Sequence, residues 1–156
     1  MQVFRIDRQK RADSLLTGKG AELYGGRWNT RGTPVVYCAS SRSLAILEVL
    51  VHLDWQKHLP QDRIMATIEI PDELVYKPDP DSFGTYWAGS PYHSDSQRVF
   101  AEFLQQEIHG DSVAIAVPSA VVPEELNICL DPTSQWMRQV KIVESKPWRL
   151  DERLVH

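Results

Sequence analysis

Four side chains of unlike kind invite a chemical reading of this 156-residue chain: Arg27, Tyr37, Glu48 and Ser119. Glu48 is the only carboxylate in the run Leu44 to Leu53, whose other members are apolar except for His52. A carboxylate on an apolar helix is costly unless it is paired or hydrogen-bonded, and unpaired it tends to keep its proton. Either the wedge of Glu48 and His52 opens onto water or a structural arginine, or it faces a cleft and a ligand. Arg27 follows Gly25-Gly26 directly. Glycines let a backbone approach a ligand, and a guanidinium beside them can grip phosphate in a bidentate way, so a phosphate clamp and a solvated loop arginine are both open readings. Tyr37, on an apolar strand, is either packing or a ring offered to a ligand. Ser119 follows Pro118 without a G-x-S-x-G elbow, which argues against a serine hydrolase and for a hydrogen-bonding role.

Other chemistries find little support. The five histidines, His52, His58, His93, His109 and His156, form neither H-E-x-x-H nor a paired Cys/His spacing, so no metal site is expected. Cys38 and Cys129 lie in apolar segments outside any C-x-x-C pair and read as buried free thiols. A net charge of -4 gives no general attraction to phosphate backbones or anionic membranes, and the tryptophans do not interleave with a basic stripe, so nucleic-acid binding is not expected. The longest apolar run is far shorter than the roughly 20 residues of a membrane span, and the charged start MQVFRIDRQKRA does not resemble a signal peptide. A cytoplasmic location is the expectation.

Periodicity supplies the elements that must position these groups. Strands are predicted over Gln2 to Ile6, Val35 to Ala39, Ile64 to Ile70, Ser112 to Val117, Asn127 to Leu130 and Val140 to Glu144, with a last edge near Pro147 to Asp151. Ile64 to Ile70 alternates, which assigns Met65, Thr67 and Glu69 to a wet face. Ser119 to Pro123 reads as extended chain. A weak helix is predicted around Asp13 to Leu16, and a mostly buried one over Leu44 to Leu53 with Ser40-Ser41 as its N-cap. Another starts from a Ser94/Gln97 capping box and stops at Gly110, carrying Val99, Phe100, Phe103, Leu104 and Ile108 on one face. Thr17 to Gly32 holds five of the eight glycines and reads as loop and tight turns. Lys77 to Tyr92, aromatic yet rich in proline, reads as an ordered flap. Irregular interleaving of strands and helices favours a single α+β domain over 1–156.

Taken together, Gly25-Gly26-Arg27-Trp28-Asn29, Gly32-Thr33-Pro34-Val35-Val36-Tyr37, Leu44 to His52, Val117-Pro118-Ser119, Asn127 and Asp131-Pro132 resemble the RES domain family of bacterial toxins, and the closing Trp148 to Leu154 resembles its C-terminal end. The resemblance implies a compact α+β fold related to the ADP-ribosyltransferase toxins, with NAD+ as substrate and no separate cofactor. It implies a toxin–antitoxin pair, with a Xre-like helix-turn-helix antitoxin covering the site and a toxin homodimer within the complex. It also implies NAD+ cleavage by hydrolysis or phosphorolysis, phosphate being the acceptor in the latter, or ADP-ribosyl transfer to a protein; an inactive scaffold is the rival of another class. Arg27, Tyr37, Glu48 and Ser119 match the family's active-site residues, and Gly26, Trp28, Asn29 and Asn127 would complete the substrate contacts. In these roles Arg27 holds the pyrophosphate or a ribose, and Tyr37 offers its ring to the cationic nicotinamide for about 2 kcal/mol. Glu48 stabilises the developing ribosyl cation, and Ser119 bonds the substrate or Glu48.

Overall fold

The computed structural model describes residues 1–53, 61–91, 93–105 and 110–154. Trp55, His58, Tyr92, Ile108, His109 and His156 lie outside the described residues. The strands are β1 (Gln2–Arg8), β2 (Val36–Ala39), β3 (Arg63–Glu69), β4 (Val75–Tyr76), β5 (Ala114–Pro118), β6 (Leu126–Leu130) and β7 (Lys141–Trp148), and the helices are α1 (Lys19–Tyr24), α2 (Arg42–Leu50) and α3 (Val99–Gln105). One seven-stranded sheet runs in the order β4-β5-β6-β2-β1-β3-β7, antiparallel throughout except where β4 lies parallel to β5.

One face of this sheet is buried by a continuous core that includes Val3, Val36, Cys38, Ala66, Ile68, Ala116, Ile128 and Leu130. The opposite face is covered in two separate pieces. Over the β5-β6-β2 half, Trp28, Phe83, Phe100 and Phe103 pack on Ile115, Val117 and Cys129. Over the β1-β3 half, Leu44 and Ala45 of α2 pack on Phe4, Ile6 and Met65. The halves meet where β1 and β2 share a single registered pair, Phe4 with Ala39, whereas β1 and β3 stay paired along seven residues. A sheet so weakly joined in its middle can open there, and a cleft forms between the two half-cores.

Several local expectations change under this packing. Of the wet face expected for β3 only Glu69 is exposed: Met65 and Thr67 are buried because β3 lies between β1 and β7 and α2 covers the face they share with Phe4 and Ile6. The glycine-rich loop contains α1, which starts after Gly18; there φ is +65° and an added Cβ would stand 2.6 Å from the Val35 amide nitrogen, so only glycine fits. Gln9–Ser14 forms a 3-10 turn in place of the predicted short helix. Helix α2 is only partly buried, leaving Leu47 and, at its C-cap, Val51 exposed, and its N-cap is Ser41, whose Oγ accepts from the Leu44 amide at 3.0 Å. The Ser94/Gln97 capping box is not formed. A 3-10 turn over Ser96–Arg98 leads into α3, and the Gln97 side chain donates instead to the carbonyls of Gly26 at 3.1 Å and Asn29 at 3.4 Å. The C-terminal strands merge into β7, an edge strand whose bulge opposite Thr67/Ile68, two lysines and Pro147 discourage pairing with another chain.

Candidate active site

The cleft between the half-cores encloses about 760 Å³, and Arg27, Tyr37, Glu48 and Asn127 all line it. Each comes from a different element, and each is held by neighbours that the local sequence supplies.

Glu48 projects from α2 on the face it shares with Ala45 and Val49, which also line the cleft. Its Oε1 accepts from Ser119 Oγ at 2.8 Å and from Asn127 Nδ2. Among the described residues nothing bonds Oε2. The carboxylate is therefore anchored by one oxygen and presents the other, and no arginine neutralises it. Ser119 is fully buried and does not line the cleft. It stands at the end of β5, where its Oγ also accepts from the amides of Val121 at 3.0 Å and Val122 at 3.1 Å. These bonds turn the chain into the β5–β6 connection, so the extended run predicted for Ser119 to Pro123 is a turn closed by Ser119 N donating to Glu125 O at 2.9 Å. Glu48, one of the two partners expected for Ser119, thus receives its hydrogen bond.

Tyr37 is fixed by the glycine-bounded loop. Its hydroxyl donates to Asn29 Oδ1 at 2.7 Å and accepts from the Trp28 amide at 3.1 Å, which leaves the ring as its surface towards the cleft. Asn29 spends its own amide on the carbonyls of Ala21, Thr30 and Thr33 at 2.9–3.0 Å. It is 1% exposed and does not line the cleft, so the substrate contact expected of it is replaced by a positioning role. Trp28, equally buried, borders the cleft while stacking on Trp87 at 6.2 Å and meeting Phe83 edge-on at 5.5 Å. A Cβ on Gly26 would meet Tyr37 Oη at 2.8 Å and Asn29 Oδ1 at 2.9 Å, so glycine is required there by space alone.

Arg27 lines the cleft and ties down the flap: its Nη1 donates to the carbonyls of Trp87 and, at 2.8 Å, Gly89. Arg5 was missed by sequence reasoning. At the opened β1–β2 junction its Nη1 donates to Tyr37 O at 2.8 Å and its Nη2 to Asp7 Oδ2 at 2.6 Å, while its buried Nε has no partner among the described residues. Arg5, Asp7 and Arg11 form the end of the cleft with the most charge. The available signal was two charged residues, Arg5 and Asp7, at the same parity as Val3 in a strand that otherwise buries both its faces. Burial pushes the Cys38 thiol up to about 12 and raises Cys129 well above the ordinary thiol range, so neither serves as a nucleophile at neutral pH. Among the described residues no group of three or more His, Cys, Asp or Glu could hold a metal ion, and no helix is long and apolar enough to cross a membrane.

Against this geometry, the RES domain profile matches residues 2–151. The chain belongs to the RES domain family. Its relatives include Toxin Res of Photorhabdus laumondii, 35% identical over 156 residues that make up 99% of this chain and 97% of that protein. The Prs ADP-ribosylating toxin of a Sphingobium species is 36% identical over 95% of this chain and 91% of its own length. Toxin Res of Yersinia enterocolitica is 38% identical over 85% and 84% respectively. This RES domain also superposes on a chain of the crystal structure of the M. tuberculosis MbcT–MbcA toxin–antitoxin complex with a TM-score of 0.67, at 20% identity, covering 94% of this chain and 83% of that one. The fold is shared with that chain, and the α+β class read from the sequence is the class observed.

Proposed function

We propose that this RES domain is the toxin of a toxin–antitoxin pair and that it cleaves NAD+ between nicotinamide and ribose. The observation that carries the reading is Glu48: a carboxylate in a cleft, gripped through Oε1 by Ser119 and Asn127, with Oε2 left to face a ligand. Nicotinamide leaves a positively charged precursor as a neutral base, so the reaction needs no acid to protonate the leaving group. What it needs is fixed negative charge beside an oxocarbenium-like ribose, and a carboxylate oriented before the substrate arrives provides that at little reorganisation cost. The ring of Tyr37 suits the cationic nicotinamide, and the guanidiniums of Arg5, Arg11 and Arg27 suit the pyrophosphate.

Incubation with NAD+, with and without inorganic phosphate, tests this by free nicotinamide and by product identity. Release by the wild type and a loss of about 10²-fold or more in Glu48→Gln are expected. No release under either condition overturns the reading, and so does full release by the variant. A second reading, transfer of ADP-ribose to a cellular protein, is favoured by the relative named as an ADP-ribosylating toxin. Labelled NAD+ in lysate separates the two, because transfer leaves the label on a discrete band. The partner is a Xre-like antitoxin that covers the cleft, where exposed Tyr24 and Val51 give the mouth apolar surface. The setting is the cytoplasm, where NAD+ is held.

A further inference from the structure

We infer that His52 is the general base that takes the proton from the molecule attacking the ribose. The inference rests on the proposed cleavage of NAD+ and adds the acceptor side of the reaction. When the C1′–N bond breaks, its electron pair neutralises the nicotinamide nitrogen. The new C1′–O bond comes from a water or hydroxyl oxygen, and the proton on that oxygen must go to a base, from which it passes to solvent. Glu48 is poorly placed to do both jobs, since one oxygen is bonded twice and the other is needed as negative charge beside the ribose.

The remaining groups around the cleft are excluded one by one. Asp7 accepts from Arg5 Nη2 at 2.6 Å and from the Arg8 amide at 2.7 Å, with Arg11 at 3.8 Å, so its lone pairs and charge are engaged. Tyr37 has its hydroxyl bonded on both sides, and Cys38 is a buried thiol that already holds its proton at neutral pH and cannot take another. Tyr24 brings a phenol, a poor proton acceptor at neutral pH, and Arg5, Arg11 and Arg27 bring only donors. His52 lines the same cleft, is exposed, and its side chain bonds no other described residue. It lies two residues past the end of α2, in a turn where its amide donates to Val49 O at 3.2 Å, and this turn keeps it on the cleft that Glu48, four residues earlier, also lines. Imidazole is the side chain whose proton exchange is centred in the neutral range.

The test is product partitioning by the full chain, comparing the wild type with His52→Gln. ADP-ribose formation is followed alongside exchange of labelled nicotinamide into NAD+, from pH 5 to 8. Exchange requires Glu48 but no base, whereas hydrolysis requires both. In the variant, hydrolysis should fall by about 10²-fold or more while exchange persists, and the pH dependence of their ratio should disappear. Azide, a nucleophile that carries no proton to remove, should restore capture of the ribosyl cation in the variant. Because His52 is exposed, the melting temperature should not move. An unchanged ratio, or parallel loss of both activities, overturns the assignment of His52 alone. A wild type that acts only with phosphate dianion also overturns it, since that acceptor needs no base. A wild type that neither releases nor exchanges nicotinamide overturns the cleavage reading and this one with it.

Discussion

Replacing Ser119 by alanine should cost stability and loosen Glu48, and the size of both effects follows from three contacts. Ser119 Oγ donates to Glu48 Oε1 at 2.8 Å and accepts from the amides of Val121 and Val122 at 3.0 and 3.1 Å. The bond to a carboxylate is worth about 1.5–3 kcal/mol, and the two amides, on half-exposed valines, recover part of their loss from water, for a total of roughly 2–4 kcal/mol. At about 2–4 °C per kcal/mol for a chain of this length, the melting temperature should fall by roughly 4–16 °C. Urea denaturation of wild type, Ser119→Ala, Glu48→Ala and the double variant, followed by circular dichroism, isolates the pair. Once Glu48 is gone, Ser119→Ala loses only the turn, so the two substitutions should couple by about 1.5–3 kcal/mol. Glu48→Gln should retain most of the stability, because its amide oxygen still accepts from Ser119 and Asn127. A coupling below about 0.5 kcal/mol would refute the idea that Ser119 acts through Glu48.

Two further outcomes follow from the same packing. Gly26→Ala should cost about 1–3 kcal/mol and reduce nicotinamide release at least tenfold, since its Cβ meets Tyr37 Oη and Asn29 Oδ1, two atoms already fixed by each other; a variant with wild-type melting and rate would show that the Tyr37 clamp is dispensable. With Cys38 raised to about 12 by burial, the thiol ionises first in the unfolded chain, so its contribution to stability is full below about pH 9 and is lost as pH rises towards 12. Urea midpoints between pH 8 and 10.5 should therefore decline less steeply in Cys38→Ala than in the wild type, by up to about 1.4 kcal/mol per pH unit, and equal slopes would contradict that burial.

Much of this was legible along the chain because it depends on near neighbours. Alternation placed β1 and β3, and short apolar runs placed β2, β5 and β6, each within a few residues of its bounds; Ser41 caps α2 from three residues away, and the spacing from Gly25 to His52 carried much of the family resemblance. Helix α1 was not legible, because five glycines in sixteen residues resemble a loop whether or not two of them cap a helix. The wet face given to β3 failed for another reason: alternation shows which side chains share a face but not whether a helix from elsewhere covers it.

The sequence by itself determined which chemical groups are available: a lone carboxylate, a glycine-flanked arginine, a tyrosine, a serine beside a strand, and two thiols in apolar runs. Only the tertiary structure decided what each of them touches. Ser119 and Asn127 reach Glu48 across 71 and 79 residues of chain, Gln97 reaches Gly26 across 71, and Arg5 fills the gap where β1 and β2 part. The physical reason is that a side chain's type fixes which bonds it can make, whereas its partner is fixed by strand order and register. Those are set by how the whole sheet buries its two faces, and no local stretch of residues specifies that.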